Sequence, residues 1–171
     1  MKYLFAILIS LALFGFAHAQ SDDEMTRVSG RVTEKINSSM HGWTHRSIQP
    51  ITGSKNVIIE QWQSSDLIVE VAITRYPDGE QAKRGFNFHK TQLAREEAAQ
   101  KSRGKQVKLI KEELDALGDE AFVSDVQGSE AVAFRTGRFL VNISVPSPAT
   151  NRDGFFSRQL AHRVFKALKD E

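Results

Sequence analysis

The apolar side chains Met25, Val28, Val32 and Ile36 recur at spacings of three and four, which predicts a helix over residues 22–40 with one buried stripe. Ser21 or Asp22 can cap it, and the acidic Asp22-Asp23-Glu24 suits the positive end of its dipole. From Gly42 the period changes to two. Strands are predicted at 43–49, 56–62 and 67–76, with Ser64-Ser65-Asp66 as a turn before the third. In that third strand Leu67, Val69, Val71 and Ile73 share one face. The other face carries Ile68, Glu70, Ala72 and Thr74 and is only partly apolar, the pattern of an antiparallel sheet covered on one side.

Pro77 and Gly79 end this strand region, and Asp78 with Gln81 three residues on is a capping-box signature. The helix it opens is predicted over 79–101, with Ala82, Phe86, His89 and Leu93 along one stripe. A loop at Ser102-Arg103-Gly104 precedes a predicted strand at 105–111 and a turn built on Leu117-Gly118-Asp119-Glu120-Ala121. Strands at 121–126, 130–135 and 138–145 follow, joined through Gln127-Gly128-Ser129 and Thr136-Gly137. Pro146 and Pro148 stop the last strand. The final helix is predicted over 154–169, capped by Asn151 or Asp153, with Phe156, Leu160, Ala161, Val164, Ala167 and Leu168 as its apolar stripe. Strands joined by tight turns cannot form parallel crossover units, so the prediction is one α+β domain, an antiparallel sheet with helices packed against it. Segments 57–88 and 132–165 both read as strands followed by a helix, which hints at an internal duplication.

The N-terminus changes what counts as the fold. Lys2 precedes an apolar run over 3–17, and Ala17-His18-Ala19 offers small residues where a signal peptidase needs them. This predicts a secretory signal peptide over 1–19, cleaved after Ala19, and a domain over 20–171 that is periplasmic or extracellular. The apolar run is short for a spanning helix, and no later run is long enough, so no transmembrane span is expected after cleavage. Of the 171 residues 152 then remain, with 22 basic and 21 acidic side chains. The absence of cysteine excludes disulfides, thiolate metal sites and a cysteine nucleophile, so the domain must be stable through its core alone.

Several stretches carry a resemblance. They are Asn56-Val57-Ile58-Ile59-Glu60-Gln61-Trp62, a strand ending in Arg75-Tyr76, Glu80-Gln81-Ala82 opening a helix, Leu117-Gly118-Asp119-Glu120-Ala121-Phe122, and Phe134-Arg135-Thr136-Gly137-Arg138. Together they resemble exported bacterial domains with a "GLGDEA" turn, including uncharacterised secreted proteins and the extracellular sensor-type domains of mycobacterial kinases and lipoproteins. The layout is also similar to PsbP-like α/β sandwiches. The likeness spans most of 56–168, and it departs at Ala116, where glycine is frequent, and at Arg138, where asparagine is usual. It implies an envelope or extracellular binding module and assigns no catalytic residue.

The residues themselves nominate little chemistry. Asp119 and Glu120 are read as a turn in which Gly118 takes a positive φ and Asp119 bonds local backbone; as neighbours in a strand they would point to opposite faces. His41 and His45 are four apart, but Gly42 lies between them and no glutamate follows His41, so the metalloprotease motif is absent. His89 on the apolar stripe reads as a half-buried structural histidine, and His162 as solvated. Neither a G-x-S-x-G elbow nor a glycine-rich phosphate loop occurs. No cofactor or metal is expected.

One segment is uneven in charge. Residues 80–111 hold Lys83, Arg84, Lys90, Arg95, Lys101, Arg103, Lys105, Lys108 and Lys111 against Glu80, Glu96 and Glu97. These cations could contact an anionic lipid or another acidic polymer. The structural alternative is a solvated helix face with Glu96 and Glu97 paired locally. Aromatic interleaving is slight, with only Phe86 and Phe88, which argues against nucleic acid. The sequence therefore reads as an exported, non-enzymatic domain that binds a small ligand or an envelope protein. Its alternatives are a secreted hydrolase with a site assembled from distant residues, or an anionic-surface binder using the 83–111 segment.

Overall fold

A computed structural model describes residues 20–48, 50, 54–65, 67–126, 128–146 and 155–169. The signal-peptide expectation and the caps at Asn151 and Asp153 lie outside these residues. Helix α1 spans Gln20–Asn37, so Ser21 and Asp22 fall within its first turn, not ahead of it. Strands β1 (Thr44–Ile48), β2 (Val57–Ser64) and β3 (Leu67–Arg75) follow, then helix α2 (Gly79–Ser102). Strands β4 (Ile110–Glu113), β5 (Glu120–Val126), β6 (Ser129–Thr136) and β7 (Phe139–Pro146) lead to helix α3 (Phe155–Lys169).

All strands pair antiparallel in one sheet of order β1-β2-β3-β7-β6-β5-β4. The chain is thus an α+β domain, as its turn chemistry predicts. The alternation along each strand decides which side chains meet which helix. Val69, Val71 and Ile73 of β3 and Val141, Ile143 and Val145 of β7 face α1 and α3, and join Val28, Val32, Ile36, Leu160 and Val164 in the main core. Phe122 of β5 and Ala133 of β6 face the other way and pack on Phe86 and Leu93 of α2.

The sheet is therefore covered on both sides, where the sequence pattern predicts one. Coverage by α2 is centred on β4–β7, while the same face of β1–β3 carries a polar ladder. There Arg46 donates to Gln61 Oε1, and Gln61 donates to Glu70 Oε2 across 2.7 Å. This is why Ile68, Glu70, Ala72 and Thr74 alternate only partly apolar. The duplication hinted at by the sequence is not reproduced. An axis normal to the sheet that exchanged β3 and β7 would keep their following helices on one face, yet α2 and α3 cover opposite faces.

The strand expected at 105–111 is displaced to Ile110–Glu113. The amide of Leu109 is taken by Glu97 Oε2 of α2 at 2.8 Å, so this stretch is tied to the helix and ladder pairing begins later. Among the described residues no helix is long and apolar enough to cross a membrane.

Candidate anion-binding surface

Helix α2 is held by its own ends and by one face. Asp78 caps it, accepting from the Gln81 amide at 2.7 Å. Gln81 reaches back to the Asp78 carboxylate, not to its backbone as in the usual capping box. Ala82, Phe86 and Leu93 are buried against the sheet. Gly85 allows Tyr76 to lie on the helix, since a Cβ there would stand 2.2 Å from the tyrosine hydroxyl. Burial raises the pKa of that phenol above its ordinary 10.0.

His89 occupies the stripe position that its spacing predicts, with its ring stacked on Phe122 at 5.7 Å between centroids. Burial lowers its pKa below the ordinary 6.5. The unfolded chain consequently takes up this proton at a higher pH than the folded one, so stability is complete above pH 6.5 and declines below it. His89→Gln is expected to flatten that decline in denaturant titrations. An unaltered slope would show that His89 is not the responsible group. Glu24 acts lower on the scale. Burial opposes its ionisation, but hydrogen bonds from Arg75 and Arg138 outweigh this and hold its carboxyl below 4.5. Its stabilisation is lost only under more acid conditions.

The predicted basic residues separate into two groups. Lys90 pairs with Glu113, Lys101 with Glu97, and Lys111 with Asp125. Glu97 is held below the usual carboxylate range by Lys101 first and by the Leu109 amide second. Glu96 accepts from Gln100, so the local pairing expected for the two glutamates holds for Glu97 alone. Lys83, Arg84, Arg95, Arg103, Lys105 and Lys108 are exposed and, among the described residues, make no ion pair. Because acids take up three of the cations, the six left over carry the segment's positive excess.

The C-terminal end of α2 concentrates this charge. Its last carbonyls are closed by backbone amides: Arg103 N bonds Gln100 O, Gly104 N bonds Lys101 O, and Lys105 N bonds Gln100 O. Capping therefore needs none of the basic side chains. Gly104, at φ +78°, turns the chain. A shallow, wide-open cleft of about 540 Å³ lies here, lined by Lys101, Gly104, Lys105, Gln106, Val107 and Lys108. Residues 98–111 contain five cations and no acid, a signal legible in the sequence; the cleft itself depends on the path of the loop.

A second polar cluster corresponds to no motif in the sequence. Glu60 of β2 is 1% exposed and lies on the face turned towards α1. It accepts from Ser29 of α1, from Ser47 of β1 at 2.6 Å, and from His45 Nε2 at 2.7 Å. The ring of His45 stands 5.0 Å from that of Trp62. The available signal was Glu60 falling between Ile58 and Trp62 on an otherwise apolar face. A hydrolytic triad would need serine bonded to histidine, whereas both hydroxyls here bond the carboxylate. Thr33 Oγ1 lies 3.5 Å from His45 Nε2, a nitrogen already held by Glu60. The cluster anchors α1 on β1 and β2. His41 is exposed, and among the described residues no three metal-ligating side chains gather.

The Gly118 turn also differs in detail from its prediction. Gly118 has φ +71°, as expected, and Ala116 also has a positive φ, +63°. Asp119 does not bond local backbone. Its Oδ2 accepts from Gly137 N at 2.9 Å and from Arg135 at 2.8 Å. Glu120 accepts from the same guanidinium at 3.0 Å. The two acids converge because Asp119 stands outside the strand and escapes its alternation.

No protein-family model, no curated protein and no solved structure matches the chain.

Proposed function

We propose that this is an exported, non-catalytic binding module of the cell envelope or extracellular space whose partner is anionic. The observation that carries the reading is the set of exposed cations on α2 and the loop after it that have no carboxylate partner among the described residues, two of which, Lys105 and Lys108, line the cleft. Charges left uncompensated on a near-neutral domain cost little in water and favour an acidic partner. Export is supported by the n-region, apolar run and small-residue site at the N-terminus. The likeness to exported "GLGDEA"-turn domains points the same way. Binding to heparin-agarose, used as a soluble-polyanion probe, tests the reading. Retention should weaken with salt, because exposed charges are screened. Lys105→Glu with Lys108→Glu should elute at clearly lower salt with an unchanged melting temperature. Equal elution of parent and variant would overturn the proposal.

A further inference from the structure

We infer that the outer face of α2 docks on a bilayer surface bearing anionic headgroups, with Phe88 entering the headgroup boundary between Arg84 and Arg95. The inference rests on the anion-binding reading above and names its partner. Phe88 is 48% exposed, the most exposed large hydrophobic side chain among the described residues. Its place in the helix explains this. Phe86, two positions earlier, is turned into the sheet, which swings Phe88 away from it. Arg84 lies one turn before Phe88 and Arg95 two turns after it, so the three share the solvent face.

From Arg84 onward that face continues through Thr91, Ala98 and Ser102 without an acid. Glu80, one turn before Arg84, is the acid at its near end. The stripe from 84 to 102 is about 27 Å long at the helical rise. It runs into Arg103, Lys105 and Lys108 at the cleft, so the cationic track continues past the helix end. Cations alone would serve any polyanion. A phenyl ring held in water at the centre of the track gains only where the partner offers an apolar layer beneath its charges, as a bilayer does. Arginine stems can lie along that boundary while their guanidiniums bond phosphate oxygens. One aromatic anchor makes the attachment reversible and dominated by charge, hence sensitive to salt.

Co-sedimentation with phosphatidylglycerol–phosphatidylcholine vesicles, compared with pure phosphatidylcholine, tests this on the full mature chain. Binding should require phosphatidylglycerol and fall as salt rises. Phe88→Ala should weaken vesicle binding about fivefold, as expected for a partly buried ring, while leaving heparin retention and the melting temperature unchanged. Arg84→Glu with Arg95→Glu should weaken both kinds of binding. Vesicle binding that ignores Phe88→Ala, or that does not need phosphatidylglycerol, would overturn the inference. Heparin retention without vesicle binding would also overturn it while leaving the anion-binding reading intact, and loss of both would remove the two together.

Discussion

Gly118→Ala is expected to lower stability by about 3 kcal/mol, combining a left-handed backbone penalty with a forced backbone displacement. At this position φ is +71°, and an added Cβ would stand 2.3 Å from the Arg135 carbonyl oxygen. That oxygen cannot retreat cheaply, because it accepts from the Asp119 amide at 2.7 Å and belongs to β6. Moving it would also disturb the Arg135 guanidinium that Asp119 and Glu120 share. Gly128→Ala provides the comparison. Gly128 has φ +80° but nothing within 4 Å of its added Cβ. It should lose only the left-handed penalty, about 1 kcal/mol. Thermal unfolding of the two variants separates strain from collision. Equal losses would mean that the close approach to Arg135 is not what fixes glycine at 118.

Glu60→Leu is expected to cost about 2–3 kcal/mol, because it strands donors that were built around one carboxylate. Ser29, Ser47 and His45 all point at Glu60, and these donors come from α1 and β1, so the loss should loosen the α1 side of the sheet first. The cost is moderated where Ser47, exposed, and His45, whose side chain is 26% exposed, can turn to water. Glu60→Gln retains an acceptor and should lose less. Combining Glu60→Leu with Ser29→Ala and His45→Phe removes unmatched donors along with their acceptor and should recover most of the loss. Urea unfolding measures all three. A Glu60→Leu domain as stable as the parent would show that the buried carboxylate does not hold α1 in place. Hydrogen exchange in α1 offers a local readout, since opening confined to that helix precedes global unfolding.

The two predictions concern residues that the sequence presents very differently. Gly118 sits in a recognisable turn, and its positive φ follows from the residue type. What made it indispensable, the Arg135 carbonyl, is seventeen positions away. Glu60 has no local motif at all. Its importance comes from being the polar residue on a core-facing row, with partners supplied by elements on either side. The basic segment falls between these cases. Its positive excess was countable, but which cations stayed uncompensated depended on Glu113 and Asp125, acids brought to α2 and β4 by strand pairing.

The sequence alone sets the element types, nearly every boundary to within a few residues, and the inward stripes of all three helices. These follow from local periodicity, caps and turn residues, which act over a few positions. It also determined the antiparallel α+β class, because short connections leave no room for parallel crossovers. Long-range packing makes β3 and β7 neighbours and places α2 on the face opposite α1 and α3. It alone brought Ser29, His45 and Ser47 onto Glu60, and Arg135 onto Asp119 and Glu120. Such contacts join residues far apart in the chain, and their selection reflects the packing of whole faces, to which no single segment holds the key. Phe88 illustrates both sides: helical periodicity turns it away from the stripe, but its exposure beside Arg84 and Arg95 exists because none of the described residues packs over that face of α2.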